Sequence, residues 1–102
     1  MQRLIELSKI FSDKNRAKIV LLVLRDKEVC VCEICDTLEL SQPLVSRHLK
    51  QMKEAKILEA RKDKKWVNYS LNTTPDTLLE CFIEEFTLHI STLPNLIVCS
   101  TK

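Results

Sequence analysis

The 102-residue chain contains five cysteines but no glycine, and its formal net charge is +2 at pH 7. This length suits one small domain, and the lack of glycine excludes the glycine-rich loops with which many nucleotide-binding enzymes hold phosphate. The longest apolar run, residues 19–24, is too short to cross a bilayer, and no signal peptide is evident. We therefore predict a cytoplasmic protein with no membrane contact, whose cysteines are thiols or metal ligands rather than disulfides.

Charge is distributed unevenly along the chain. Residues 41–65 hold eight Lys/Arg against three Asp/Glu, a net charge of +5, whereas residues 74–102 hold one against four, a net charge of −3. A basic middle followed by an acidic end predicts that the middle of the chain binds a polyanion.

Two amphipathic segments predict dimerisation helices. Apolar residues recur at helical spacing in residues 1–12 and again in residues 75–92. Their combined apolar surface is too large for a monomer of this size, so we predict a homodimer held by these two helices. Residues 15–24 predict a second helix that becomes apolar on nearly all sides along its length and forms the buried centre of the fold. Residues 93–102 are predicted to form a tail.

A helix-turn-helix is predicted over residues 31–53. A short helix is followed by a turn at Glu39 and Leu40, and then by a longer helix that has Ser41 as its N-cap and Pro43 in its first turn. One side of the longer helix is apolar, whereas the other side carries cations and no carboxylate, as a helix in the major groove of DNA requires. A plain solvated helix face is the alternative. The residues of this helix predicted to contact DNA are Ser41, Gln42, Pro43, Ser46, Arg47 and Lys50.

A β-wing is predicted over residues 58–71. Two runs with β propensity, residues 58–62 and 66–71, flank a polar turn. Cations around the hairpin tip are suited to the minor groove or the phosphates beside it, although charge at a tip also serves solubility. The wing residues predicted to contact DNA are Arg61, Lys62, Lys64 and Lys65.

Three cysteines, Cys30, Cys32 and Cys35, lie within six residues in the first helix of this motif. On one regular helix Cys32 and Cys35 share a face while Cys30 points away, so the three sulfurs converge only if the first turn is distorted. Structural zinc needs about four ligands, and no fourth Cys or His lies nearby in the sequence. Three thiolates suit a soft three-coordinate ion such as As(III) or Sb(III); cysteines that merely fill space are the alternative. Cys81 is predicted to pack in the core, and Cys99 to be an incidental thiol or an additional soft-metal ligand.

The run from Val29 to Lys50 resembles the ArsR/SmtB family of winged-helix repressors, and the match continues into the wing. Within it, Cys-Val-Cys followed by Cys-Asp resembles the branch that senses As(III) and Sb(III). The resemblance implies a mainly α fold with a small β-hairpin, a winged helix-turn-helix, and a homodimer that binds double-stranded operator DNA. It also implies that the repressor dissociates when As(III) or Sb(III), the inducer, is ligated by the cysteine cluster, with no organic cofactor.

Other branches of that family fit the sequence less well. A zinc, cobalt or nickel site on the last helix needs pairs of His and carboxylate, but that helix holds only His89 and scattered acids. A cadmium- and lead-responsive branch adds a cysteine from the N-terminal arm, and residues 1–29 contain none. Members often have glycine at the recognition-helix exit and in the wing turn. Here Lys56 occupies the exit, where it is predicted to adopt a positive φ, and Asp63-Lys64-Lys65 forms the turn.

Two other regulators remain as alternatives, one driven by oxidation of the same thiols and one by a soft divalent metal. An enzyme is not expected, because no His or paired carboxylates accompany the cysteines as a catalytic nucleophile requires.

Overall fold

A computed structural model describes residues 1–97, and the fold is built mainly from helices. Within those residues there are five α-helices, one three-stranded antiparallel sheet and one 3₁₀ turn. The helices are α1 (Gln2–Phe11), α2 (Lys14–Asp26), α3 (Val31–Leu38), α4 (Gln42–Glu54) and α5 (Thr77–Thr87). The strands are β1 (Val29–Cys30), β2 (Leu58–Asp63) and β3 (Trp66–Leu71), and the 3₁₀ turn is Ile90–Thr92. No helix in this part of the chain combines the length and apolar character needed to span a membrane.

Helix α2 lies at the centre of the core, as its apolar pattern predicts. Ile19 and Leu22 are fully buried, and the cluster around them includes side chains from the other four α-helices of residues 1–97. The helix begins sharply, because the Asp13 side chain accepts hydrogen bonds from the backbone N–H groups of Asn15 and Arg16 at 2.8 and 3.2 Å. These two donors have no partner within the helix itself.

The predicted helix-turn-helix is confirmed in α3 and α4. Glu39 ends α3 in the left-handed conformation, with φ of 56°, and α4 follows the Ser41 N-cap with Pro43 in its first turn. The turn between the helices is therefore short, and α3 packs directly against α4.

The predicted wing is confirmed in β2 and β3. Asp63 lies opposite Trp66, which leaves Lys64 and Lys65 as a two-residue turn. Lys64 has a positive φ of 59°, and Lys56 at the exit of α4 has a φ of 60°, as predicted for Lys56. Both positions would favour glycine, which the chain lacks.

A short strand with no signature in the sequence joins the wing to the start of α3. The strand order is β1–β3–β2, with Val29 opposite Tyr69 and Cys30 opposite Asn68. Two residues are too few for an alternating pattern to be visible in a sequence. The expectation that Cys30 lies inside the first helix of the motif is therefore wrong, because Cys30 lies in the sheet.

The C-terminal part of the fold departs from two expectations. The last helix ends at Thr87 rather than at residue 92. The expected tail is packed at its start, since Arg25 donates to the Pro94 carbonyl at 2.6 Å and the Ile97 N–H donates to the Thr37 hydroxyl at 2.8 Å. Residues 93–97 thus lie along α2 and α3, whereas Cys99 lies outside the described residues.

Helices α1 and α5 pack together but leave apolar side chains exposed. Phe11 contacts two phenylalanine rings of α5 at centroid distances of 5.0 and 4.9 Å. Away from this contact, Leu4 and Ile5 are 44% and 45% exposed and Leu88 is 73% exposed. Cys81 is also exposed on α5, so the prediction that it packs in the core is wrong for the single chain.

Candidate nucleic-acid interface and cysteine cleft

The outer face of α4 presents the residues predicted to contact DNA. The inner side is buried through Val45, His48, Leu49 and Met52, which fixes the rotation of the helix about its axis. The face opposite them offers cations and short polar groups near the helix N-terminus, where phosphates and base edges can be bound. All six predicted contacts are exposed: Ser41, Gln42, Pro43, Ser46, Arg47 and Lys50.

Arg16 holds the recognition helix α4 against α1, a role with no signal in the sequence. Its Nε donates to the Ile10 carbonyl at the end of α1, at 2.7 Å. Its Nη1 lies 3.4 Å from His48 Nδ1 and donates to Gln51 Oε1 at 3.3 Å, both on α4. One guanidinium therefore donates to a backbone carbonyl at the C-terminus of α1 and also sets the position of α4.

His48, which is 3% exposed, predicts a pH dependence of stability. Burial lowers the pKa of His48 below its ordinary value of 6.5; Asp13 opposes this shift, while Arg16 and Arg47 add to it. The unfolded chain then binds a proton more readily, so stability is fully present above about pH 6.5 and is lost as the pH falls. His48→Asn should reduce this loss in urea unfolding at pH 7 and pH 5, whereas the matched control His89→Asn should retain it. A loss of stability that is equal in both variants would contradict the assignment.

The wing cations are divided between the tip and the base. Lys62, Lys64 and Lys65 are exposed around the tip, where they are accessible to a duplex. Arg61 is also exposed, but its guanidinium pairs with both carboxylate oxygens of Glu28, at 2.6 and 3.2 Å. The predicted wing contacts therefore do not form one uniform group.

The three cysteines sit where the sheet meets α3. Cys30 is the N-cap of α3, has an extended backbone with φ of −97° and is 1% exposed. Its N–H donates to the Glu33 carboxylate at 3.1 Å, one half of a capping box. Cys32 and Cys35 lie on α3 itself and are half-buried. Cys30 and Cys35 are free thiols, whereas Cys32 is disulfide-bonded, so the expectation that no cysteine forms a disulfide is wrong for Cys32. Cys30 thus belongs to the junction that starts the helix rather than to the opposite helix face.

One cleft of about 470 Å³ brings the cysteines together with both predicted DNA-binding elements. Gln42 contributes from the start of α4, and the wing contributes Lys65 and Trp66, with the Lys65 Nζ 5.6 Å from the Trp66 ring centroid. No local pattern in the sequence indicates this wall of the cleft, because the wing reaches it only by folding back. The full lining is Cys30, Val31, Cys32, Cys35, Asp36, Gln42, Lys65, Trp66 and Val67.

The cleft holds donors that suit a soft ion, but they are not yet gathered around one point. Between residues 1 and 97, no group of three or more His, Cys, Asp or Glu side chains is arranged to hold a metal ion. Burial raises the pKa of the Cys35 thiol above its ordinary value of 9.0, and Asp36 raises it further, so this thiol is protonated at neutral pH. A soft ion that binds the Cys35 sulfur must therefore displace a proton.

Comparison with known proteins identifies the same motif. Residues 13–60 match the model of the family described as bacterial regulatory protein, arsR family. The chain is 50% identical over 64 residues to the arsenic resistance transcriptional regulator ArsR1 of Pseudomonas putida, covering 63% of this chain and 50% of that protein. It is 47% identical over 68 residues to the arsenical resistance operon repressor of Escherichia coli, covering 67% of this chain and 58% of that protein. The chain thus spans about half the length of these curated relatives.

A solved structure extends the likeness to most of the fold. HlyU from Vibrio cholerae superposes with a TM-score of 0.73 at 31% identity, over 86% of this chain and 89% of that chain. The chain belongs to the arsR family of bacterial regulatory proteins, and its fold is a winged helix-turn-helix.

Proposed function

We propose that this protein is a metalloid-responsive repressor, which binds operator DNA as a homodimer and leaves it when As(III) or Sb(III) is bound by Cys30, Cys32 and Cys35. The observation that carries the proposal is the cleft shared by these cysteines with Gln42 of α4 and Lys65 of the wing. A ligand held there lies between the two elements predicted to touch DNA. Similarity to arsenic resistance regulators also supports a metalloid as the inducer.

Ligation replaces each As–O bond of arsenous acid with an As–S bond. Once a thiol reductant has reduced the Cys32 disulfide, three thiols give up their protons, and three molecules of water leave for each arsenic bound. The Cys30 sulfur must leave its buried position at the start of α3 to take part. Because α3 packs against α4, this movement displaces the recognition helix. A shift of about 3 kcal/mol between the two states lowers operator affinity by over a hundredfold, within the usual range of allosteric coupling.

On DNA, α4 enters the major groove and the wing lies alongside. Gln42, Ser46, Arg47 and Lys50 face base edges and nearby phosphates, with Ser41 and Pro43 at the groove edge. The exposed cations of the tip, Lys62, Lys64 and Lys65, bind phosphates or the minor groove. A two-fold dimer then reads an imperfect palindrome whose half-sites lie about one helical turn, or a multiple of it, apart.

The dimer forms through α1 and α5, whose exposed apolar side chains would be covered by a second copy. Ile5→Glu is expected to produce a monomer in sedimentation at micromolar concentration, because it places a charge in that contact. The conservative control Ile5→Leu should remain a dimer. A wild-type chain that sediments as a monomer, with a stability independent of protein concentration, would rule out this arrangement.

The inducer is tested by adding three agents separately to the reduced protein–operator complex. We expect arsenite to release the DNA under full reduction, while a mild oxidant without arsenite and Cd²⁺ at the same concentration leave the complex intact. Release by the oxidant alone would favour a thiol-oxidation switch, and release by Cd²⁺ alone would favour a soft-divalent-metal sensor; either result would overturn the metalloid assignment.

A further inference from the structure

The wing is joined to the cysteine cleft through the sheet. Asn68 of β3 lies opposite Cys30 of β1 on one side and opposite Arg61 of β2 on the other. The three residues therefore form one row across the sheet, with the buried Asn68 in the middle. Any movement of Cys30 along or away from β3 acts directly on the hairpin that carries the DNA-facing lysines.

An ion pair between Arg61 and Glu28 adds a second link between the ends of this row. Arg61 Nη2 lies 2.6 Å from Glu28 Oε1, and Arg61 Nε lies 3.2 Å from Glu28 Oε2. The planar guanidinium of Arg61 thus binds the carboxylate of the residue two positions before Cys30. This bidentate geometry fixes the orientation of the two side chains as well as the distance between them. Glu28 raises the pKa of Arg61, first through these hydrogen bonds and then through its charge.

We propose that Arg61 and Glu28 are positioning residues that tie the wing to the cysteine site, and that Arg61 is not a DNA phosphate contact. The proposal rests on the proposed function for its inducer. When the Cys30 sulfur moves to bind As(III), β1 leaves its register with Asn68 and Glu28 leaves Arg61. The wing then loses its DNA-competent position together with α4, so one ligation event weakens both contacts of the regulator with the duplex.

The strand that connects Cys30 to the wing is short, and it can therefore be displaced easily. Strand β1 contains only two residues, so few ladder hydrogen bonds resist a displacement of Cys30. The ion pair spans from that segment to β2, which is the strand not paired with β1. Glu28 and Arg61 therefore join the two edges of the sheet and hold the hairpin in one orientation while the strand pairing is intact.

The two possible roles of Arg61 predict opposite effects of Glu28→Gln on operator affinity. If Arg61 is held by Glu28 in the DNA-competent state, Glu28→Gln weakens operator binding by about two- to fivefold without arsenite, as expected for an exposed but bidentate pair. If Arg61 instead binds phosphate, Glu28→Gln leaves binding unchanged or tightens it, because it removes a negative charge near the DNA. Arg61→Gln weakens binding in either case and cannot separate the two roles by itself.

The experiment measures operator affinity with and without arsenite, under reductant, for the wild type and four variants. We expect Glu28→Gln and Arg61→Gln each to lower the arsenite-dependent change in affinity by about two- to fivefold, and the charge swap Glu28→Arg/Arg61→Glu to restore it. The matched control is Lys62→Gln on the same strand, which should weaken binding equally in both states and reduce the salt dependence by about one phosphate contact. Thermal unfolding of each variant verifies that it is folded.

The outcomes separate this inference from the proposed function. If arsenite releases the wild type but Glu28→Gln binds operator as tightly as the wild type or more tightly, the tie between wing and cleft is overturned and the repressor assignment stands. A charge swap that stays as weak as Arg61→Gln would overturn it as well. If arsenite fails to release the wild type, the proposed function fails, while the arsenite-free comparison of Glu28→Gln with the wild type still decides the role of Arg61.

Discussion

Serine at Cys32 or Cys35 is expected to abolish the release of operator DNA by arsenite, an effect of over a hundredfold in the affinity measured with the inducer present. Both residues lie on α3 and line the cleft, so they are positioned to anchor the ion before the junction moves. A serine hydroxyl is a hard donor that does not replace a thiolate on a soft ion. Operator binding without arsenite should persist, because neither side chain lies on the outer face of α4.

Cys30→Ser is expected to retain part of the release, because two As–S bonds at Cys32 and Cys35 still strain the start of α3, whereas β1 and the wing, which move with Cys30, stay in place. The matched control is Cys81→Ser, since Cys81 is exposed on α5 and does not line the cleft. Operator affinity is measured by fluorescence anisotropy with and without arsenite under strong reductant. Undiminished release by both the Cys32 and Cys35 variants would exclude this mechanism.

Arg47→Ala is expected to weaken operator binding by about 1–3 kcal/mol, or roughly 5- to 150-fold, and to relax specificity at one base pair. The reason is that Arg47 is exposed on the outer face of α4, where a guanidinium can donate two hydrogen bonds to a guanine edge. The loss should be large for the operator and small for unrelated duplexes.

Lys64→Ala provides the comparison, because Lys64 lies in the wing turn and is assigned to a phosphate. It should weaken all sequences alike and flatten the salt dependence by about one contact. Competition between operator and random duplex at several salt concentrations distinguishes the two effects. If both variants bind operator like the wild type, the docking of α4 and the wing is wrong.

The helices and the side that each one buries can be predicted from the sequence, because buried apolar residues recur at helical spacing. In α4, an N-cap at Ser41 marks the start, and the buried side chains of Val45 and Leu49 recur at helical spacing. Once the inner side is known, the outer side follows, and with it the residues that are predicted to face DNA. The positive φ at Lys56 can also be predicted from the sequence, because Lys56 occupies the recognition-helix exit, where family members often have glycine.

The contacts between elements could not be predicted from the sequence, because they join residues far apart in the chain. Cys30 was expected inside a helix, but its pairing with Asn68 places it in a strand too short to show a period. The Glu28–Arg61 pair joins residues 33 positions apart, and neither has a local pattern that identifies the other. The three cysteines are therefore visible as a cluster in the sequence, and their role as donors stays a prediction, whereas the cleft that they share with the wing required the tertiary structure.

The most direct test of the account is arsenic X-ray absorption on the reduced protein loaded with one arsenite per subunit. We predict three sulfur neighbours for each arsenic in the wild type, two in Cys30→Ser, and loss of sulfur coordination when Cys32 and Cys35 are both replaced by serine. An arsenic bound only by oxygen in the wild type, or a sulfur count that these substitutions leave unchanged, would contradict the claim that the cysteine cleft is the inducer site.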